Sequence, residues 1–85
     1  MIEIKNFEDL EFKKYYIAKL KSNANEYLIC RIIKKDFVLP IYKYNIEIKE
    51  NTFGWELKQM TISFSDFRKY TWYELTDDEA MVELL

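Results

Sequence analysis

The sequence predicts an α+β domain that is predominantly antiparallel β: a small curled sheet or partial barrel of four to six strands with a short C-terminal helix. Three observations carry that reading. Tyr42, Tyr44, Ile46 and Ile48 alternate with Lys43, Asn45, Glu47 and Lys49, the period-2 pattern that sends one residue type to each face of a pleated strand. Asn51-Thr52-Phe53-Gly54 follows with hairpin-loop chemistry, Gly54 being free to take a positive φ. Thr76-Asp77-Asp78-Glu79 then spells a capping box ahead of an apolar-rich terminus.

The elements follow in chain order. Met1 to Lys5 reads as a short edge strand with Ile2 and Ile4 on one face, and Asn6 to Asp9 as a turn or single helical turn capped by Asn6. From Leu10 to Lys21, alternation favours a strand over a helix, with Leu10, Phe12, Tyr16, Ala18 and Leu20 facing one way. Ser22-Asn23-Ala24-Asn25 is a turn, because Asn tolerates the left-handed region and bonds its own backbone. Glu26 to Lys35 is apolar on both sides, the mark of a central strand. Pro40 cannot donate to a ladder and belongs at an edge, bulge or loop.

After the hairpin loop the chain resumes with Trp55 and Leu57, then Met60, Ile62 and Phe64. The change from odd to even positions predicts a β-bulge near Lys58 or Gln59. Ser65 or Asp66 caps a short turn through Phe67 to Tyr70, and Thr71 to Leu75 forms a last strand. A helix from Asp77 to Leu85 follows, stapled by Leu75 and Ala80, with Ala80, Met81, Leu84 and Leu85 on its packed face.

Composition narrows the chemistry. Eighty-five residues predict a single domain, residues 1–85, and a dense core is needed at this size; seven Tyr, six Phe and two Trp supply it. The chain has no His, one Cys and one Gly. The commonest general base, a zinc cluster and a phosphate-cradling glycine loop are therefore all missing from it. Cys30, in the most apolar strand, reads as a buried hydrophobe. The expectation is a protein that is not an enzyme and takes no cofactor or metal. No secretory leader or run long enough to span a bilayer is visible, so a cytoplasmic location and no membrane partner are expected.

Net charge is −2 but unevenly placed. Residues 13–35 carry seven cations against Glu26 alone, a balance of +6, and residues 66–85 carry six carboxylates against Arg68 and Lys69, a balance of −4. Such polarity suits a macromolecular partner, although ordinary solvated faces also produce it. Two candidate sites emerge. Tyr70, Trp72, Tyr73, Glu74, Asp77, Asp78 and Glu79 combine aromatics with carboxylates, the composition of a protein-binding hot spot, with Trp72 also reading as core. Lys13, Lys14, Tyr15, Lys19, Lys21, Lys34 and Lys35 make the alternative, a basic aromatic-interleaved face for nucleic acid.

No motif names a function. The expected one is a small intracellular protein that binds and inhibits another protein. Residue usage typical of AT-rich genomes, together with the split charge, suggests a phage or mobile-element factor of the anti-CRISPR kind, blocking a host or defence-system protein such as a nuclease. A nucleic-acid-binding β-domain, and a structural or self-assembling subunit forming a homodimer through strand edges or the terminal helix, are the competing classes.

Overall fold

Residues 26–35 lie inside a two-faced sheet, where Leu28 and Cys30 are buried on one face and Ile29 on the other, whereas Ile33 further along is 37% exposed. The computed structural model describes residues 1–37 and 41–84. Its strands are β1 (Ile2–Ile4), β2 (Tyr15–Leu20), β3 (Asn23–Asp36), β4 (Lys43–Asn51), β5 (Gln59–Ser63) and β6 (Tyr70–Leu75). Helix α1 spans Phe64–Arg68, helix α2 spans Asp77–Leu84, and Phe7–Asp9 is a 3-10 turn. The strands form one antiparallel sheet in the order β1-β6-β2-β3-β4-β5. It stays open, with β1 and β5 as its edges. The expected sheet and C-terminal helix are thus present.

Alternation assigns the two faces. Tyr16, Ala18, Leu28, Cys30, Ile32, Tyr44, Ile46, Ile48, Ile62 and Trp72 turn to the front, where Phe7, Leu10 and Phe67 cover them. Ile17, Ile29 and Leu75 turn to the back and meet Ala80 of α2. Beyond α2 the back of β3, β4 and β5 is polar: Arg31 Nε donates to Glu47 at 3.0 Å and the Thr61 hydroxyl to Asn45 Oδ1 at 2.8 Å. The buried tyrosines find places for their polar ends or faces. The Tyr16 hydroxyl accepts from the Glu11 N–H at 2.8 Å, and Tyr44 stacks on Phe7 with centroids 4.0 Å apart.

Several local expectations need correction. Strand β2 begins only at Tyr15, because Lys13 sits at φ 65° and breaks the run from Leu10. Leu10 instead closes the 3-10 turn, its N–H donating to Phe7 O at 3.2 Å. Asn6 precedes that turn without capping its backbone; its side chain bonds Asp9 Oδ2 at 3.2 Å. The β2–β3 turn proper is Lys21-Ser22, and Asn23 already pairs with Leu20. The Asn chemistry acts one step later, in an irregularity where the Asn25 N–H donates to Asn23 Oδ1 at 3.1 Å.

The bulge expected near Lys58 or Gln59 is also absent from the β4–β5 ladder, whose register runs unbroken from Lys43↔Ser63 to Glu47↔Gln59. Trp55 and Leu57 change phase because they lie in the connecting loop, before β5 starts. In that loop Gly54 takes φ 81° as expected, Phe53 stacks on Trp55 at 4.5 Å, and Asn51 holds Trp55 by two side-chain hydrogen bonds. The register shifts fall instead in β3–β4, at Ile29/Cys30 and Ile32/Lys34.

Helix α1 is capped by Ser63, with Asp66 closing a capping box, rather than by Ser65 or Asp66. The cap expected at Thr76 is present: the Glu79 N–H donates to Thr76 Oγ1 at 3.1 Å, and the Thr76 N–H donates to Glu79 Oε1 at 3.0 Å. Met81 is 63% exposed and does not share the packed face of Ala80 and Leu84. Pro40 and Leu85 lie outside the described residues.

The core makes a direct prediction. Ile46 is fully buried at the centre of the front face, so Ile46→Ala should lower unfolding free energy by about 2–5 kcal/mol. The exposed Met81 should tolerate Ala within about 0.5 kcal/mol. Urea denaturation of both variants checks the contrast; equal losses would contradict the burial assignment.

Candidate functional site

The acidic-aromatic set is carried by β6 and α2, and β6 decides which side chains can meet a partner. It lies inside the sheet, paired with β1 on one side and β2 on the other. Trp72 turns to the front, is 2% exposed, and donates its indole N–H to Phe67 O at 3.0 Å. It is a core residue that no partner can touch. Tyr70 is half-buried on the same front face, and Tyr73 is half-buried on the back with Lys19 Nζ 5.6 Å from its ring centre. Glu74 is occupied by Lys14, whose ammonium lies 3.2 Å from it and 2.9 Å from Glu11. Those bonds, to Glu11 first and then Glu74, push the Lys14 ammonium well up.

Asp77 and Asp78 are exposed in the first turn of α2, where carboxylates also complement the helix dipole. Glu79 is committed to structure. Its carboxyl is held below the usual range first by the Thr76 backbone N–H and then by the N-terminal ammonium of Met1, 3.2 Å away. That ion pair sets the N-terminus beside α2, so Met1, Leu75, Asp78, Glu79, Val82 and Glu83 line one shallow hollow.

Sequence reasoning missed the apolar part of this surface. Met81 and Val82 are 63% and 72% exposed, and Met1 and Ile2 stand at 56% and 62%. The missing signal was the rotational phase of α2. Ala80 and Leu84 are four residues apart on one ridge, and with that ridge on the Ile17–Ile29–Leu75 cluster, Met81 and Val82 are turned outward.

The basic set is scattered. Lys13 occupies the left-handed residue before β2, Lys14 is paired, and Tyr15 is half-buried beside α2 on the back. Lys19 lies on that back face and Lys21 in the β2–β3 turn. As consecutive strand residues the last two turn to opposite faces, and the register shift after Ile32 puts Lys35 on the front. Lys34 pairs with Asp36 at 3.6 Å, whereas Lys35 sits on the front, 4.9 Å from the Tyr44 ring centre and 5.4 Å from that of Phe12. Of the tyrosines interleaved with these cations, Tyr16 and Tyr44 are buried.

Cys30 is fully buried and burial pushes its thiol up, keeping it protonated. Among the described residues, no group of three or more His, Cys, Asp or Glu side chains is placed to hold a metal ion, and no helix is long and apolar enough to cross a membrane. No protein-family model, curated protein or solved structure matches the chain.

Glu79 gives this surface a pH dependence. Its folded pKa lies below its unfolded value, so its contribution is present above the unfolded carboxylate pKa and is lost as pH falls through the folded one. Thermal melts from neutral pH down through the carboxylate range should show Glu79→Gln with a shallower acid-induced fall than the parent. A parallel fall would mean that the cap and the N-terminal ion pair add nothing.

Proposed function

We propose that the protein is a binding module that engages another protein through α2 and the N-terminal residues docked beside it. The observation that carries this reading is the pair Met81 and Val82, exposed at 63% and 72% next to Asp77, Asp78 and Glu83, which are exposed as well. Large apolar side chains rimmed by charge are the composition of an interface centre. The rim is acidic, so the fitting partner presents apolar side chains ringed by Lys or Arg.

Inhibition is the mode such a surface suits. Carboxylates spaced along a compact helix occupy a basic groove that would otherwise take a phosphate backbone, and the apolar pair adds contact that a nucleic acid lacks. A phage or mobile-element inhibitor of a defence nuclease is the concrete form of this proposal. The split charge and the residue usage support it.

A photo-crosslinking side chain at position 82 tests it in cells. It should give a discrete protein adduct, whereas the same probe at position 22, exposed in the β2–β3 turn, should not. The double substitution Met81→Lys with Val82→Lys replaces the apolar pair by two cations while staying compatible with a helix C-terminal half. It should reduce the adduct at least about tenfold, as loss of a hot spot does. Absence of an adduct at 82, or retention of labelled oligonucleotides in its place, would overturn the proposal.

A further inference from the structure

The two edges of the sheet are protected to different degrees. Edge strand β1 is three residues long and carries Glu3, with Lys5 just beyond it. Edge strand β5, Gln59-Met60-Thr61-Ile62-Ser63, has no charged residue, no proline and no register shift against β4. Charge, proline, bulges and shortness are the usual guards of an open edge, and β5 has none of the first three.

The direction of its free backbone groups follows from one bond. The Ile48 N–H donates to Lys58 O at 2.7 Å, in line with the Glu47↔Gln59 register. In an antiparallel ladder alternate residues point to the partner, so Met60 and Ile62 bond toward β4. Gln59 and Thr61 then direct both N–H and C=O outward. Ser63 would do the same, but its N–H is taken by Asp66 Oδ2 at 2.9 Å. Among the described residues, the open edge is therefore a two-residue rail with four unpaired groups.

We propose that β5 pairs with β5 of a second copy of this chain, antiparallel about a two-fold axis at Met60, making one continuous sheet across the dimer. This register uses the whole rail: Gln59 exchanges two backbone hydrogen bonds with Thr61 of the second copy, and Thr61 two with its Gln59. The flanks are compatible with this register: Lys58 falls opposite Ile62 of the second copy and Leu57, 44% exposed, opposite its Ser63, so no cation meets a cation there. The uncharged strand brings no like charges together at the axis.

Sedimentation equilibrium on the full chain tests this. The weight-average mass should rise from 10.5 kDa toward twice that value as concentration increases from about 10 μM to about 1 mM, the range of weak, small interfaces. Thr61→Pro removes the outward N–H, together with the exposed hydroxyl bond to Asn45, and should hold the protein at monomer mass with unchanged circular dichroism. A second pair of variants guards against misfolding. Gln59→Lys with Thr61→Lys sets lysines opposite each other and should abolish association, whereas Gln59→Lys with Thr61→Glu should restore it. A monomer at every concentration would overturn the proposal. So would association that survives both Thr61→Pro and the double lysine variant, or association lost in the α2 variant carrying Met81→Lys and Val82→Lys.

Discussion

The pair Ala18 and Trp72 is the contact on which the rest of this structure depends. The two residues face each other directly in the β2–β6 ladder, and both are buried. The largest core side chain thus stands directly across from one of the smallest, and Ala18 leaves room beside it for the indole. The rings of Phe67 and Trp72 stack at 5.4 Å, and the indole N–H ends on Phe67 O, which ties α1 to the front face. A larger residue at position 18 would separate β6 from β2, and a smaller one at 72 would open a cavity beneath Phe67.

The consequences of that contact reach the proposed interface. β6 is late in the chain but sits inside the sheet, and β1 joins the sheet by pairing with β6. The same strand ends at Leu75, whose burial with Ile17, Ile29 and Ala80 fixes the rotation of α2. Rotation in turn decides that Met81 and Val82 face outward, and the Met1–Glu79 ion pair adds the N-terminus to the same surface. The surface is thus a by-product of how the core closes. Its acidic rim belongs partly to helix capping and partly to the side chains left over.

The strands were largely legible because period-2 alternation is a local signal. Tyr44, Ile46 and Ile48 declare the front of β4, and the capping box at Thr76 declares the start of α2. Strand partners were not legible, since no local pattern shows that β6 inserts between β1 and β2. Alternation misled where backbone irregularity rotates the chain: Lys13 at positive φ ends the β2 pattern, and the shift after Ile32 turns Lys35, in place of Lys34, to the front. A run of cations that looks contiguous in sequence is dispersed for that reason. At the C-terminus the aromatic-acidic cluster was legible as a cluster, but the burial of Trp72 and the exposure of Met81 depend on tertiary packing.

Amide hydrogen exchange, resolved by residue, tests the central role of β6 most directly. An interior strand anchored by Trp72 opens only with the whole sheet, so the hydrogen-bonded amides of residues 71–75 should exchange as slowly as those at the centre of β2 and β3. The β1 amides should exchange faster, because β1 is an edge. If residues 71–75 exchanged as fast as β1, β6 would be a loosely added terminal element, and the account of the core and of the surface built on it would fail.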